Sequence, residues 1–128
     1  MTARRILLIE PDQVLGQAYS TALSSCAFEV NHVHNAQAAV IAADNNCPDL
    51  VICEIQLISH SGIEFLYEFR SYPDWQHVPV IIFSVVPFTE FSGSQQGLAK
   101  DLGVSKYLYK PNTSLKHLMR TINEFITV

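Results

Sequence analysis

Pro48-Asp49-Leu50-Val51-Ile52-Cys53-Glu54-Ile55-Gln56-Leu57 runs four apolar residues straight into a carboxylate. A strand with one wet face alternates apolar and polar residues, so the unbroken run Leu50 to Cys53 describes a strand covered on both faces. Its last residue, taken as Glu54, then delivers an acid to the end of a buried strand.

Outward from this run the same alternation recurs. Arg5 to Glu10, Phe28 to Val33, Val78 to Ser84 and Lys106 to Tyr109 read as further strands, the second and fifth being the least hydrophobic. Between them lie segments of helical period. Asp12 is placed to cap a first helix with Leu15, Ala18, Tyr19, Ala22 and Leu23 on one face, and Asn35 to cap Ala36 to Asp44. Gly62 introduces a third helix with Ile63, Leu66 and Phe69 inward. Leu115, Leu118, Met119, Ile122, Phe125 and Ile126 make the last helix, after Thr113 or Ser114 as cap. Strands alternating with helices predict an α/β fold, a doubly wound parallel sheet of five βα units in one domain, residues 1–128.

Composition narrows the function. The net charge of −4 and the scatter of eight Lys and Arg leave no basic stripe, which points away from direct binding to nucleic acid. Cys26, Cys47 and Cys53 are odd in number and lack metal-ligand spacing, as expected for reduced thiols in a cytoplasmic protein. Neither a signal peptide nor a membrane span is expected. Ile6 to Ile9 is too short for the first, and Val78 to Phe88 falls below the roughly 20 residues a span needs.

In an open parallel sheet the functional crevice lies beyond the carboxyl ends of the strands. The residues ending the runs are Glu10, Glu54, Ser84 and Lys110. Acids hold a hard metal, while a hydroxyl and an ammonium donate to phosphate-like oxygens, so the set is chemically coherent.

At these residues the chain resembles the receiver domain of two-component response regulators. The resemblance lies in Ile6 to Glu10, Pro48 to Leu57, Gly62 to Leu66, Val78 to Ser84 and Lys106 to Pro111, in order and at nearly the family's spacing. It implies a flavodoxin-like sheet of strand order 2-1-3-4-5 with five helices. It also implies phosphate-contact roles for Ser84 and Lys110, an aromatic switch role for Tyr107, and a Lys110-Pro111 turn that is often cis in the family.

Two positions depart from the pattern. Glu54 stands where the family has its phosphate-accepting aspartate, and Pro11 where it has the second of an acidic pair. Glutamate sets its carboxylate about 1.5 Å further out, and misplacement on the order of 1 Å can cost about a hundredfold. Pro11 offers no side-chain ligand to Mg²⁺, so metal binding is expected to be weak or absent. Its candidates are Glu10, Glu54 and the main-chain carbonyl of Gln56, while Asp12 is assigned to capping. The longer carboxylate either lies where a phosphoryl group would sit, against Lys110 or Ser84, or forms a structural ion pair with Lys110 in a vestigial site. The sequence leaves both open.

The function expected is therefore a signalling receiver-like domain that works by binding protein partners without catalysis or cofactor. The alternative is a conventional but inefficient Mg²⁺-dependent phospho-acceptor. A flavin carrier is disfavoured, because Glu10-Pro11-Asp12-Gln13 is acidic and lacks glycines to cradle a phosphate. His32 and His34 share a side of the second strand but lack a third ligand; His60 is expected to be a solvated loop residue, and Cys53 to face away from Glu54. By resemblance, partner or homodimer contacts are expected through Ser94 to Leu102 and Lys106 to Val128. The loop after Ser84 is about four residues longer than usual. Its Phe88 and Phe91 either join the contact surface or tuck under to cover the fourth helix.

Overall fold

Leu50–Cys53 forms β3, and every one of its residues is buried, as the uninterrupted apolar run requires. It lies at the centre of a parallel sheet of order β2-β1-β3-β4-β5, with β1 at Arg5–Ile9, β2 at Glu29–Val33, β4 at Val80–Ser84 and β5 at Val104–Tyr109. The computed structural model describes residues 3–58, 61–91 and 100–127. Among these, three α-helices connect strands, α1 (Gln13–Ser25), α2 (Ala36–Asn45) and α3 (Gly62–Ser71), and a fourth, α4 (Leu115–Phe125), follows β5. A fifth helix was expected in Ser94 to Leu102, and most of that stretch lies outside the described residues. No helix among the described residues is long and apolar enough to cross a membrane.

Period-2 alternation sends neighbouring strand residues to two separate cores. Leu7, Ile9, Val51, Cys53 and Ile82 face Ala39 and Ala43 of α2 and Phe65, Leu66 and Phe69 of α3. Ile6, Leu8, Leu50, Ile52, Ile81 and Phe83 face Leu23 of α1 and Leu118 and Ile122 of α4. The helices thus cover both faces, and the doubly wound arrangement follows.

Asp12, Asn35, Ser61 and Ser114 cap the four helices, each accepting a hydrogen bond from the amide three residues on. The inward face of α1 differs from expectation. Leu15 and Ala18 are exposed, and Gly16, Tyr19 and Leu23 turn inward. The helix is rotated because Gly16 must meet His32: a Cβ there would lie 2.0 Å from the imidazole Cε1. On α3 Phe65 is buried where Ile63 was expected, and Ile63 is only half-buried.

Strand limits shift for local reasons. Ala27 adopts a φ of 70°, so pairing on β2 begins at Glu29. Val78 and Pro79 precede β4, because the Val78 main chain is engaged by Trp75 and Arg70. β5 starts two residues before Lys106. The Lys110–Pro111 bond is trans, whereas the resemblance implied a turn that is often cis in the family, and Pro111 sits near the start of a 3-10 turn, Lys110–Asn112.

At the amino-terminal edge of the sheet, the Arg70 guanidinium lies over the Phe69 ring and donates its hydrogen bonds to main-chain carbonyls. Its Nε donates to Leu102 at 2.8 Å, Nη1 to Trp75 at 2.8 Å, and Nη2 to Val78 at 2.7 Å and Gly103 at 3.1 Å. One planar cation therefore ties α3, the turn after it and the entries to β4 and β5. Arg70→Met is expected to lower stability by roughly 3 kcal/mol, with Arg70→Lys recovering only part. Urea unfolding measures this, and a loss of under about 1 kcal/mol for Met would contradict the clamp.

Candidate functional site

Strand register delivers the site. Ile9 pairs with Cys53, so Glu10 and Glu54 leave β1 and β3 at the same level; Ser84 pairs with Tyr109, which sets Lys110 just beyond. The four strand-end residues expected to converge do so. Glu10 and Glu54 are each only 3% exposed, and Ser84 is fully buried.

Lys110 bridges the two acids, its Nζ 2.5 Å from Glu10 Oε1 and 2.8 Å from Glu54 Oε1. Glu54 Oε1 also accepts from the Val85 amide at 3.1 Å. Glu54 Oε2 accepts from the Ser84 hydroxyl and, at 3.1 Å, from the Gln56 amide. Each oxygen of this carboxylate thus carries two donors, and the ammonium is one of the two on Oε1. Glu10 uses its other oxygen, Oε2, to accept from the Asp12 amide at 3.0 Å; Pro11 between them has no N–H to give. The Glu10 carbonyl in turn lies 2.9 Å from His32 Nε2.

Burial by itself would raise the Glu54 pKa. The Lys110, Ser84 and Gln56 hydrogen bonds outweigh it and hold the carboxyl below its usual range. Burial would likewise lower the Lys110 pKa, but its bonds to Glu10 and Glu54 raise it. Two buried acids sharing one cation leave one net negative charge in the site.

A magnesium ion would have to draw on Glu10, Glu54 and the Gln56 carbonyl. These fit it poorly, because both oxygens of each acid already accept hydrogen bonds and an ammonium holds the space between them. Asp12 lines the same cleft but is engaged as the cap of α1, its Oδ1 accepting from the Leu15 amide at 2.9 Å. The cleft over the site is lined by Glu10, Pro11, Leu15, Glu54, Ile58 and Lys110, among others.

Tyr107 reaches the same region from β5. Its hydroxyl donates to the Val86 carbonyl at 2.5 Å, and the Val86 amide donates to Ser84 Oγ at 3.0 Å. Burial pushes the phenol pKa up to about 12. These contacts, and the Val85 and Gln56 amides, were not foreseen from sequence; the only signal was that these residues follow strand ends.

The remaining candidates separate from the site or border it. His34 packs edge-on to His32 with ring centroids 4.5 Å apart. His60 lies outside the described residues. Cys53 is buried on the opposite face, and burial pushes its thiol pKa up. Cys26 is half-buried and Cys47 is exposed, so only Cys53 is a core thiol. Phe88 is 40% exposed and packs against Tyr107; most of the helix it was alternatively expected to cover lies outside the described residues. The Phe91 side chain lies outside what is described.

The family model for the response regulator receiver domain matches residues 6–123. The KDP operon transcriptional regulatory protein of Escherichia coli is 31% identical over 106 residues, which are 83% of this chain and 44% of that relative. The chain thus spans less than half of that protein. The polar-differentiation response regulator of Brucella anthropi is 23% identical over 123 residues, 96% of each chain. A chemotaxis protein of Vibrio cholerae, CheY4, shares the fold, with a TM-score of 0.86 over 98% of this chain and 100% of that one, at 18% identity.

The pKa directions fix how stability should vary with pH. Glu54 is depressed, so its contribution is present above its ordinary value and lost as pH falls through the folded pKa. Lys110 is raised, so its contribution is present below its ordinary value and lost as pH rises through the folded pKa. Urea midpoints should therefore form a plateau from about pH 5 to about pH 10 and fall on both sides. Glu54→Gln should flatten the acid limb; an unchanged acid limb in that variant would contradict the assignment.

Proposed function

The chain belongs to the response regulator receiver domain family, and from that membership we propose a receiver whose own glutamate stands in for the phosphoryl group. The observation that carries this reading is the saturation of Glu54 by Lys110, Ser84 and the Val85 and Gln56 amides. Ser84 and Lys110 are the groups that the family resemblance assigns to phosphoryl oxygens. Here they already hold a carboxylate that is part of the chain.

A nucleophile needs a free lone pair aimed at phosphorus. For Glu54 to attack, it would have to give up charge-assisted bonds to Lys110 and Ser84 in a buried site, which is costly. Pro11 removes a ligand from the ion that would offset that cost. The stand-in is partial, since a carboxylate brings one charge and two oxygens against roughly −1.5 to −2 and three.

In this reading the domain is a cytoplasmic binding module of a two-component or phosphorelay system and catalyses no transfer. Its partners are proteins, met through Ser94 to Leu102, Lys106 to Val128 and the Phe88/Phe91 loop, with pairing to a second copy as one arrangement. The vestigial-pair reading is less favoured, because an inert ion pair needs only Lys110, whereas Glu54 also gathers Ser84 and two amides.

Acetyl phosphate with Mg²⁺ tests this by mass spectrometry. The wild-type chain and Glu54→Asp are expected to gain little or no phosphoryl mass, and Glu54→Asp with Pro11→Asp to gain distinctly more. Stoichiometric labelling of wild-type Glu54 would establish the rival, a conventional phospho-acceptor, and full recovery in the single variant would refute the role given to Pro11.

A further inference from the structure

The bonds around Glu54 do not end at the site. Glu54 Oε2 accepts from the Ser84 hydroxyl, Ser84 Oγ accepts from the Val86 amide, and the Val86 carbonyl accepts from the Tyr107 hydroxyl. The Ser84 side chain and the Val86 main chain thus connect a buried carboxylate to a ring on β5. Two residues beyond Val86, Phe88 opens the 3-10 turn Phe88–Phe91 and lays its ring on Tyr107, with centroids 4.9 Å apart and planes inclined by 40°. A single loop therefore grips Tyr107 twice, at the phenol tip through a main-chain carbonyl and on the ring face through an aromatic side chain.

We propose that Phe88 is a built-in latch that holds Tyr107 in one inward rotamer, so that the conformation set by Glu54 is fixed at the surface of β5. This rests on the reading of Glu54 as a permanent stand-in, and it adds the element that keeps the far end of the relay from moving.

Physical reasons support a latch over an incidental contact. Turning Tyr107 outward would break its bond to Val86 and strip the ring of its contact with Phe88 at the same time. The released Val86 carbonyl would have to find water beside the apolar Val86 and Phe88 side chains. Phe88 is 40% exposed, so one face covers Tyr107 while the other meets solvent. A ring in that position closes a side chain down without being part of the core, and it can be removed without opening the core.

The test uses the full chain labelled in its tyrosines, and in its phenylalanines for Tyr107→Phe, with the χ1 rotamer of residue 107 read from three-bond couplings by NMR. The wild type is expected to give couplings of a single rotamer. Phe88→Ala should shift them to averaged values while the amide spectrum of β1, β3 and β4 stays unchanged, and Phe88→Leu should fall between. Tyr107→Phe should keep the single rotamer, because the ring contact survives loss of the hydroxyl. Wild-type couplings retained in Phe88→Ala, or averaging in Tyr107→Phe, would overturn the latch. The outcome is separable from the phosphorylation assay: a latch that releases in Phe88→Ala stands even if Glu54 is found to accept phosphate, and averaged couplings in the wild type sink the latch whatever that assay gives.

Discussion

Two buried carboxylates share one ammonium, and the carboxyl end of the sheet is organised around that shortage. Glu10 and Glu54 lie at the same level of adjacent strands, where their charges would repel if Lys110 did not reach between them. One cation cannot satisfy four oxygens. The rest is supplied by neutral donors: the Asp12 amide for Glu10, and Ser84 with the Val85 and Gln56 amides for Glu54. A buried ion cluster is weak evidence of net stability, but removing one partner from it is strongly destabilising. The geometry of three loops is therefore tied to the ionised state of the two acids.

The scaffold makes this possible by being apolar on both faces. Because β1, β3 and β4 are buried by helices on either side, their ends are the place where polar groups can gather without disturbing a core. Close approach does the rest. Gly62 lets α3 start against the Glu54 main chain, where a Cβ would lie 2.5 Å from the carbonyl oxygen. Gly16 admits the His32 ring that reaches the Glu10 carbonyl.

The sheet and the charged centre were legible in the sequence for the same reason. Apolar runs that stop at Glu10, Glu54 and Ser84, and one that leads to Lys110, carry both the strand and the chemistry at its end. The pairing of Glu54 with Lys110 and Ser84 followed from the extra methylene of glutamate. What was not legible depends on loop conformation. The Val85 and Gln56 amides aim at Glu54 because of how the chain turns after β4 and β3, and no residue type announces an amide's direction. The face of α1 was misjudged because apolar periodicity favoured Leu15 and Ala18 over a glycine whose value lies in having no side chain. The contact of Phe88 with Tyr107 was not legible, since the sequence read Phe88 only as part of a contact surface or as cover for a helix.

Titration of the Glu54 side-chain carboxyl, followed by ¹³C NMR with and without Mg²⁺, tests the central claim most directly. A carboxylate that stays ionised below the ordinary glutamate range and a resonance indifferent to the metal are expected. A midpoint at or above about 4.3, or a saturable shift on adding Mg²⁺, would contradict it.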